Sequence, residues 1–286
     1  MRRLLIALII LSALSFFSCQ KSADKKIVDF QNREIKLNTK EIKMVSLVGG
    51  LTEWIYKLKQ DDKLIGVGKE YREEFVGNLP VVGSFFDIDT LQIKELKPNV
   101  VLASTFLPKH YISWLEENNI SVVLFTYPTD LEDMYKALDL LGAIFNDKEL
   151  TDKAIKDFKT ELKNILASSK ANNATAYFSL RFNDEAGEDE VASHQHLMGK
   201  FLEMASYDNI GKDALNMVMD REDIIKINPE YIFIDELQKQ AFVNTPPYNA
   251  MPAVVQGKVI GLNMKSFTAF SPRYLQLVKQ ITEASL

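Results

Sequence analysis

The chain has 286 residues, 47% of them hydrophobic and 26% charged, with 12 glycines and 9 prolines. That balance excludes wholesale disorder and collagen-like or low-complexity fibres, and the length suits one large or two medium domains with real cores. A net charge of −5 argues against a sequence-independent nucleic-acid binder, which needs a basic face, and a single cysteine excludes an intramolecular disulfide and a cysteine metal cluster.

Arg2 and Arg3 precede an almost unbroken apolar run, Leu4 to Leu14, that ends at Ser15-Phe16-Phe17-Ser18-Cys19. About 15 apolar residues at 1.5 Å each reach roughly 22 Å, short of a hydrocarbon core of roughly 30 Å. Residues 1–18 therefore read as a cleaved export signal rather than a permanent span. The only cysteine stands where the run stops, after a small residue. This resembles a bacterial lipobox, in which the Cys becomes the acylated first residue of the mature protein; Phe16 stands where such boxes usually carry Leu. Cys19 is the expected lipid attachment point, and two or three acyl chains at about 0.8 kcal/mol per buried CH₂ anchor stably. Loss of Arg2 and Arg3 makes the exported chain two units more acidic than the full one.

Residues 19–40 are Lys-rich and polar, with one predicted β-hairpin over Ile27–Leu37, and read as a tether plus edge strands. From 41 to 128, short Val/Ile/Leu strands alternate with helices. Strands are predicted at Lys43–Val48, Leu64–Val67, Leu79–Val82, Val100–Ala103 and Ser121–Phe125. Helices are predicted at Thr52–Leu58 (with Thr52 as cap), Thr90–Leu96 and Lys109–Asn118. Such alternation signals a parallel sheet covered on both faces. Residues 129–170 differ: Leu131, Met134, Tyr135, Leu138 and Leu141, then Ile155, Phe158, Leu162 and Ile165, recur at helical spacing over one or two helices that read as a connector. In 171–286 the α/β alternation resumes. Its predicted elements are Ala174–Leu180 (strand), His196–Ala205 (helix), Asp223–Ile227 (helix), Tyr231–Ile234 (strand), Val259–Leu262 (strand) and Arg273–Ala284 (helix). The acid-rich stretch Asp184–Glu190 reads as a solvated loop.

Ile93 to Leu102 lies over Ile224 to Phe233 at an offset of 131, each a short helix, a Pro stop and a buried strand. With a connector between the copies, two similar lobes and a cleft between them are the economical reading. Loops at the carboxyl ends of parallel strands line ligand sites, which marks 48–51, 68–72, 83–89, 104–109 and 126–129 in one lobe, and 181–194, 216–221, 235–247 and 263–273 in the other.

Several motifs follow one another in a familiar order: Ser46-Leu47 with Thr52-Glu53, Gly66-Val67-Gly68, Leu79-Pro80-Val81-Val82-Gly83 and Leu96-Lys97-Pro98-Asn99-Val100. Leu131-Glu132-Asp133-Met134, Asn228-Pro229-Glu230 and Ser271-Pro272-Arg273 complete the set. Over roughly residues 42–280 the chain resembles the substrate-binding proteins of ABC importers for ferric siderophores, haem and cobalamin. The resemblance implies an α/β fold of two Rossmann-like lobes joined by a long rigid α-helix, a ligand cleft between the lobes, and no catalysis. It implies an iron chelate (haem or siderophore) or cobalamin as transported ligand, with no permanently bound cofactor. It also implies ABC permease and ATPase subunits as partners, a monomer held to the membrane by its lipid, and a place on the outer side of the cytoplasmic membrane, in the periplasm or at the cell surface. Family members present one Glu per lobe to the importer, seven residues before the Pro of the repeated segment. That position is Glu222 in the second lobe and Leu91 in the first, a departure that puts two-point docking in question.

The ligand-binding candidates are residues in or beside the cleft loops. His110, His194 and His196 are candidate iron ligands through neutral imidazole nitrogen, or else exposed polar residues near helix ends. The i, i+2 spacing of His194 and His196 suits a loop rather than one helix face. Tyr71, Phe85, Phe86, Tyr127 and Phe267 are candidate aromatic walls for a flat ligand, or else core residues. Arg181, Lys109, Arg72 and Arg273 are candidate partners for ligand carboxylates, with Arg273 leaning to a structural role at a helix start. Met198, Met217 and Met219 offer thioether sulfur or simple filling. No Gly-x-Ser-x-Gly, phosphate-cradling Gly-rich loop or His-Glu-x-x-His is present, which argues against an enzyme.

Overall fold

The computed structural model describes residues 24–38, 40–69, 77–84, 86–182, 187–264 and 268–286. The export signal, Cys19, Tyr71, Arg72, Phe85 and Phe267 lie outside them.

The chain enters through an antiparallel hairpin, β1 (Asp24–Val28) and β2 (Glu34–Asn38). Alternation along β2 turns Ile35 and Leu37 inward and the polar residues out. The hairpin is tied to the first lobe. The Phe30 amide donates to the Leu124 carbonyl at 3.2 Å, and Arg33 bridges Asp29, Glu116 and the Val122 carbonyl.

The first lobe runs β3 (Met44–Ser46), α1 (Gly49–Lys57), β4 (Leu64–Val67), α2 (Thr90–Leu96), β5 (Val100–Ser104), α3 (Lys109–Glu117) and β6 (Ser121–Phe125). Its sheet has the order β4-β3-β5-β6, all parallel. The strands are buried almost throughout, as a sheet covered on both faces requires. Because β3 pairs with β4 on one side and β5 on the other, the connections after β3 and β5 diverge. A crevice opens beyond their carboxyl ends. Two local expectations change. The helix expected from Thr52 starts at Gly49, so Thr52 is not its cap; its hydroxyl lies 3.2 Å from the Val48 carbonyl and 2.9 Å from Ser46 Oγ inside the first turns. The strand expected at Leu79–Val82 reduces to a single bridge between Val67 and Val81.

The connecting segment is two helices, α4 (Leu131–Phe145) and α5 (Lys148–Leu166). Asn146 ends α4 in the left-handed conformation, φ 56°, and Asp147 caps α5 by accepting from the Leu150 amide at 3.1 Å. The 19-residue α5 is about 28 Å long. Its Phe158 ring meets Trp54 of α1, centroids 6.1 Å apart, and the helix packs along the last helix of the second lobe.

The second lobe contains β7 (Thr175–Phe182), β8 (Glu188–Val191), α6 (Leu197–Met204), β9 (Asp208–Asn209), β10 (Val218–Asp220) and α7 (Arg221–Ile227). It continues with β11 (Tyr231–Asp235), α8 (Glu236–Asn244), α9 (Pro252–Val255), β12 (Val259–Leu262) and α10 (Tyr274–Glu283). The order is β10-β8-β7-β11-β12, with β9 also on β7; β9, β7, β11 and β12 are parallel, while β8 and β10 run antiparallel to their neighbours. The stretch expected to be a solvated acidic loop thus contains a strand, and Asp189 within it is fully buried. The loop expected over 235–247 is mostly helix α8.

The sequence repeat is also a structural one. Helices α2 and α7 have seven residues each and end on a left-handed residue, Lys97 (φ 51°) or Asn228 (φ 54°). Each is followed by Pro and then by a buried strand. One buried core runs through both lobes, including Leu51, Trp54, Phe125, Phe158, Phe201 and Phe270. The other face of each sheet has its own core, around Val101 and Leu115 in the first lobe and Ile232 and Phe242 in the second. Among the described residues no helix is long and apolar enough to cross a membrane.

Candidate functional site in the cleft

The carboxyl ends of three parallel strands open into one cavity of about 260 Å³. Leu47, Val48 and Gly49 follow β3; Ser104 and Phe106 end β5; Phe125, Thr126 and Tyr127 end β6; and Thr268, Ala269 and Phe270 reach across from the loop after β12. The cavity therefore sits at the crevice beside β3 and β5, with walls from both lobes. Its lining is mostly apolar, and the polar groups are hydroxyls and backbone. Of the lining rings, Phe125 and Phe270 pack edge to face with each other, and both pack against Phe30, with centroids 5.5 to 5.9 Å apart. Phe270 has φ 65°, a conformation that bulky side chains adopt only when their surroundings enforce it. At the rim, Phe86 and Phe106 pair at 6.2 Å while remaining 57% and 52% exposed. Large apolar surface left in water beside a cavity is available to a ligand.

The sequence candidates are distributed unevenly around this cavity. Tyr127 lines it, half-exposed, and desolvation raises its hydroxyl pKa. Phe86 reaches the rim through Phe106. His110 lies in the first turn of α3, exposed, its ring 4.1 Å from that of Tyr111. His196 caps α6: its Nδ1 accepts from the Met198 amide at 3.2 Å, and burial pushes its pKa down. His194 contacts the Lys212 carbonyl through Nδ1 and lies 3.9 Å from Asp213. Arg181 pairs with Glu190, next to it across the β7–β8 ladder. Arg273 is bound to buried Glu53 at 3.2 Å. The three histidines are not brought together, and among the described residues no group of three or more His, Cys, Asp or Glu side chains is arranged to hold a metal ion. Sequence reasoning missed Phe106, Phe125 and Phe270. Phe106 was findable, since it is the aromatic residue of the strand-end loop 104–109.

Glu222 and Leu91 occupy equivalent places in the first turns of α7 and α2, both exposed, Leu91 at 76%. Beside Glu222 a polar cavity of about 480 Å³ is bounded by Gly187, Asp220, Arg221, Asp223 and Pro247. Arg221 donates through Nε to the Tyr248 hydroxyl at 2.9 Å, and that hydroxyl lies 2.6 Å from both oxygens of Asp189. Burial and Asp189 raise the Tyr248 pKa strongly. The buried carboxylate thus joins the β8 strand to the start of α7.

A family profile of periplasmic binding proteins matches residues 44–265. The chain belongs to that family. It is a family of substrate-binding proteins and not of enzymes. The binding protein is similar, 24% identical over 300 residues covering 97% of this chain and 95% of the other, to the uncharacterized ABC transporter substrate-binding lipoprotein YvrC of Bacillus subtilis. Its fold is similar to that of the haem-binding protein HutB of Vibrio cholerae, with a TM-score of 0.75 at 16% identity, over 85% of this chain and 98% of that one. It is also similar to the vitamin B12 binding protein BtuF of Vibrio cholerae, with a TM-score of 0.67 at 20% identity over 85% and 96%. The two-lobed α/β architecture is common to them.

Proposed function

We propose that this protein is the substrate-binding lipoprotein of an ABC importer. It captures an iron complex, haem or a ferric siderophore, in the cleft and delivers it to the permease and ATPase subunits; cobalamin is the alternative cargo. The observation that carries this reading is the aromatic cavity at the carboxyl ends of β3, β5 and β6, closed from the second lobe by Thr268–Phe270. Apolar walls with a few hydroxyls suit large, flat ligands that carry their metal already chelated. Tyr127 is the candidate that brings an oxygen donor into the cavity. The protein works outside the cytoplasmic membrane, anchored through Cys19, as a monomer, with no nucleic-acid partner. Tyr71, Phe85, Phe86, Phe267, His110, His194, His196 and Arg181 are the further cargo-binding candidates in this reading. The test is titration of the exported chain with hemin, ferrichrome and cyanocobalamin, followed by visible absorption and calorimetry. Binding of one at micromolar strength or better is expected; binding of none removes the proposal.

Docking rests on Glu222 in this reading. A second reading, a binding-fold lipoprotein uncoupled from import, is favoured by one observation: an apolar, exposed Leu91 stands at the equivalent place. Cells whose only copy carries Glu222→Arg distinguish the two, since coupled uptake is lost and uncoupled function survives.

A further inference from the structure

Glu53 is a carboxylate buried at the junction of the lobes, its side chain 3% exposed. It sits on α1 one turn after Gly49, which lines the cavity. The Ser271 hydroxyl donates to Glu53 Oε2 at 2.8 Å, and Arg273 Nε donates to the same oxygen at 3.2 Å. Both partners come from the second lobe, some 220 residues on, and Arg273 is itself only 13% exposed. Ser271 directly follows Thr268, Ala269 and Phe270, the cavity wall contributed by that lobe. That wall holds Phe270 at φ 65°, which needs outside support. The support is visible: the Phe270 amide donates to the Tyr274 hydroxyl at 2.9 Å, the Ser271 amide to the Thr268 carbonyl at 3.0 Å, and the Arg273 amide to Ser271 Oγ at 3.1 Å. The wall also lies so close to α1 that a Cβ on Gly50 would fall 2.1 Å from the Ala269 carbonyl oxygen.

We propose that Glu53, with Ser271 and Arg273, is a latch that sets the aperture of the cleft: it clamps the second-lobe wall, with Phe270 in its strained conformation, against the first turn of α1. Glu53 is a positioning residue, acting on the ligand through Thr268–Phe270 rather than by contact. A buried ion pair whose two donors converge on one carboxylate oxygen gives geometry more than stability, because its desolvation offsets much of its attraction. Charge at this place is thus better explained by registration of the lobes than by a need for binding energy between them. The inference rests on the reading that this cavity receives the cargo.

The test measures the distance between the lobes without any ligand. Cys19→Ser leaves the exported chain without cysteine, so Glu117→Cys and Gln240→Cys, both exposed, accept one spin label each. A single narrow distance distribution is expected for this pair. Adding Glu53→Ala is expected to broaden it and move its mean by more than about 2 Å, the scale of a domain rearrangement. Glu53→Gln keeps the length and the acceptor for Ser271 but loses the charge for Arg273, and is expected to broaden it less; it decides the question if Glu53→Ala does not fold. Unchanged distributions in a folded variant, with only a lower Tm, overturn the latch, because a merely stabilising pair lowers Tm without moving the lobes. Whichever of hemin, ferrichrome or cyanocobalamin binds the parent is expected to bind Glu53→Gln at least tenfold more weakly. If none binds the parent, the importer reading falls while the distances still decide the latch.

Discussion

Adding one methyl group at Gly50 tests the closeness of the two lobes directly. Its Cβ would lie 2.1 Å from the Ala269 carbonyl oxygen, 2.6 Å from the Ser271 nitrogen and 2.7 Å from the Phe270 carbonyl carbon. A carbon and an oxygen in contact need about 3.3 Å, so the wall must retreat by about 1 Å. The obstructing atoms are all backbone and cannot rotate aside. Overpacking of this kind costs about 1–3 kcal/mol. The retreat also stretches the Ser271 hydrogen bond to Glu53, a bond to a charged group worth about 1.5–3 kcal/mol. Against this, Ala gains about 0.5–1 kcal/mol over Gly within a helix. The net for Gly50→Ala is a loss of about 2–4 kcal/mol. At about 2–4 °C per kcal/mol for a chain of this size, Tm falls by roughly 4–16 °C. Differential scanning calorimetry of the exported chain measures it, with Gly257→Ala as reference. Gly257 has φ 72° and open space around its Cβ position, so that substitution carries only a backbone penalty of about 1–2 kcal/mol. If Gly50→Ala unfolds no lower than Gly257→Ala, the lobes do not meet at this distance and the reasoning fails.

Tyr248→Phe removes the hydroxyl that faces buried Asp189 and is expected to cost about 2–3 kcal/mol in urea unfolding; a midpoint equal to the parent's shows that the carboxylate is satisfied without it. His196→Ala loses the α6 cap and about 1 kcal/mol. Because burial lowers the His196 pKa below its ordinary 6.5, the unfolded chain takes up the proton first. The stability held by the neutral cap is therefore complete above about pH 6.5 and declines as pH falls below it. His196→Asn keeps a cap and flattens that slope; an unchanged Tm-against-pH profile contradicts the assignment. Phe106→Ala at the exposed rim leaves Tm within about 1 °C, since surface changes are nearly neutral, and weakens the bound probe by about 1 kcal/mol, roughly fivefold. Undiminished affinity places the ligand elsewhere.

The architecture was largely legible because the first lobe is built of buried parallel strands. Val100–Ser104 and Ser121–Phe125 are continuous apolar runs bounded by Pro98, Asn119 and Pro128, and such runs have few other readings. The repeat was legible because Pro98 and Pro229 each follow a residue forced into the left-handed region, a local requirement written in one or two positions. The second lobe hid its β8 strand. Glu188-Asp189-Glu190-Val191 looks like a solvated acidic stretch, since period-2 burial is invisible when the buried member is itself an acid. Asp189 is tolerated inside because the Tyr248 hydroxyl, 59 residues later, donates to it while accepting from Arg221. No window of sequence contains that compensation.

The site follows the same logic. Strand ends are predictable, so the loops that line the cavity were marked, and Tyr127 with them. Which side chain of a loop turns inward depends on the opposite lobe, and Phe125 and Phe270 meet only because their chains converge from 145 residues apart. Glu53 and Arg273 were both visible as motif members, yet their bond is a property of the two lobes together. A Glu in the second turn of a helix reads as a solvent-facing residue until another lobe covers it. The histidines illustrate the converse. Their loop positions suggested ligands; His196 spends Nδ1 on a helix cap, while His194 engages the Lys212 carbonyl through Nδ1 alone, a contact that leaves Nε2 uninvolved. Among the described residues no three His, Cys, Asp or Glu side chains are gathered to hold a metal, an arrangement that suits a chelate bringing its own ligands better than a bare ion.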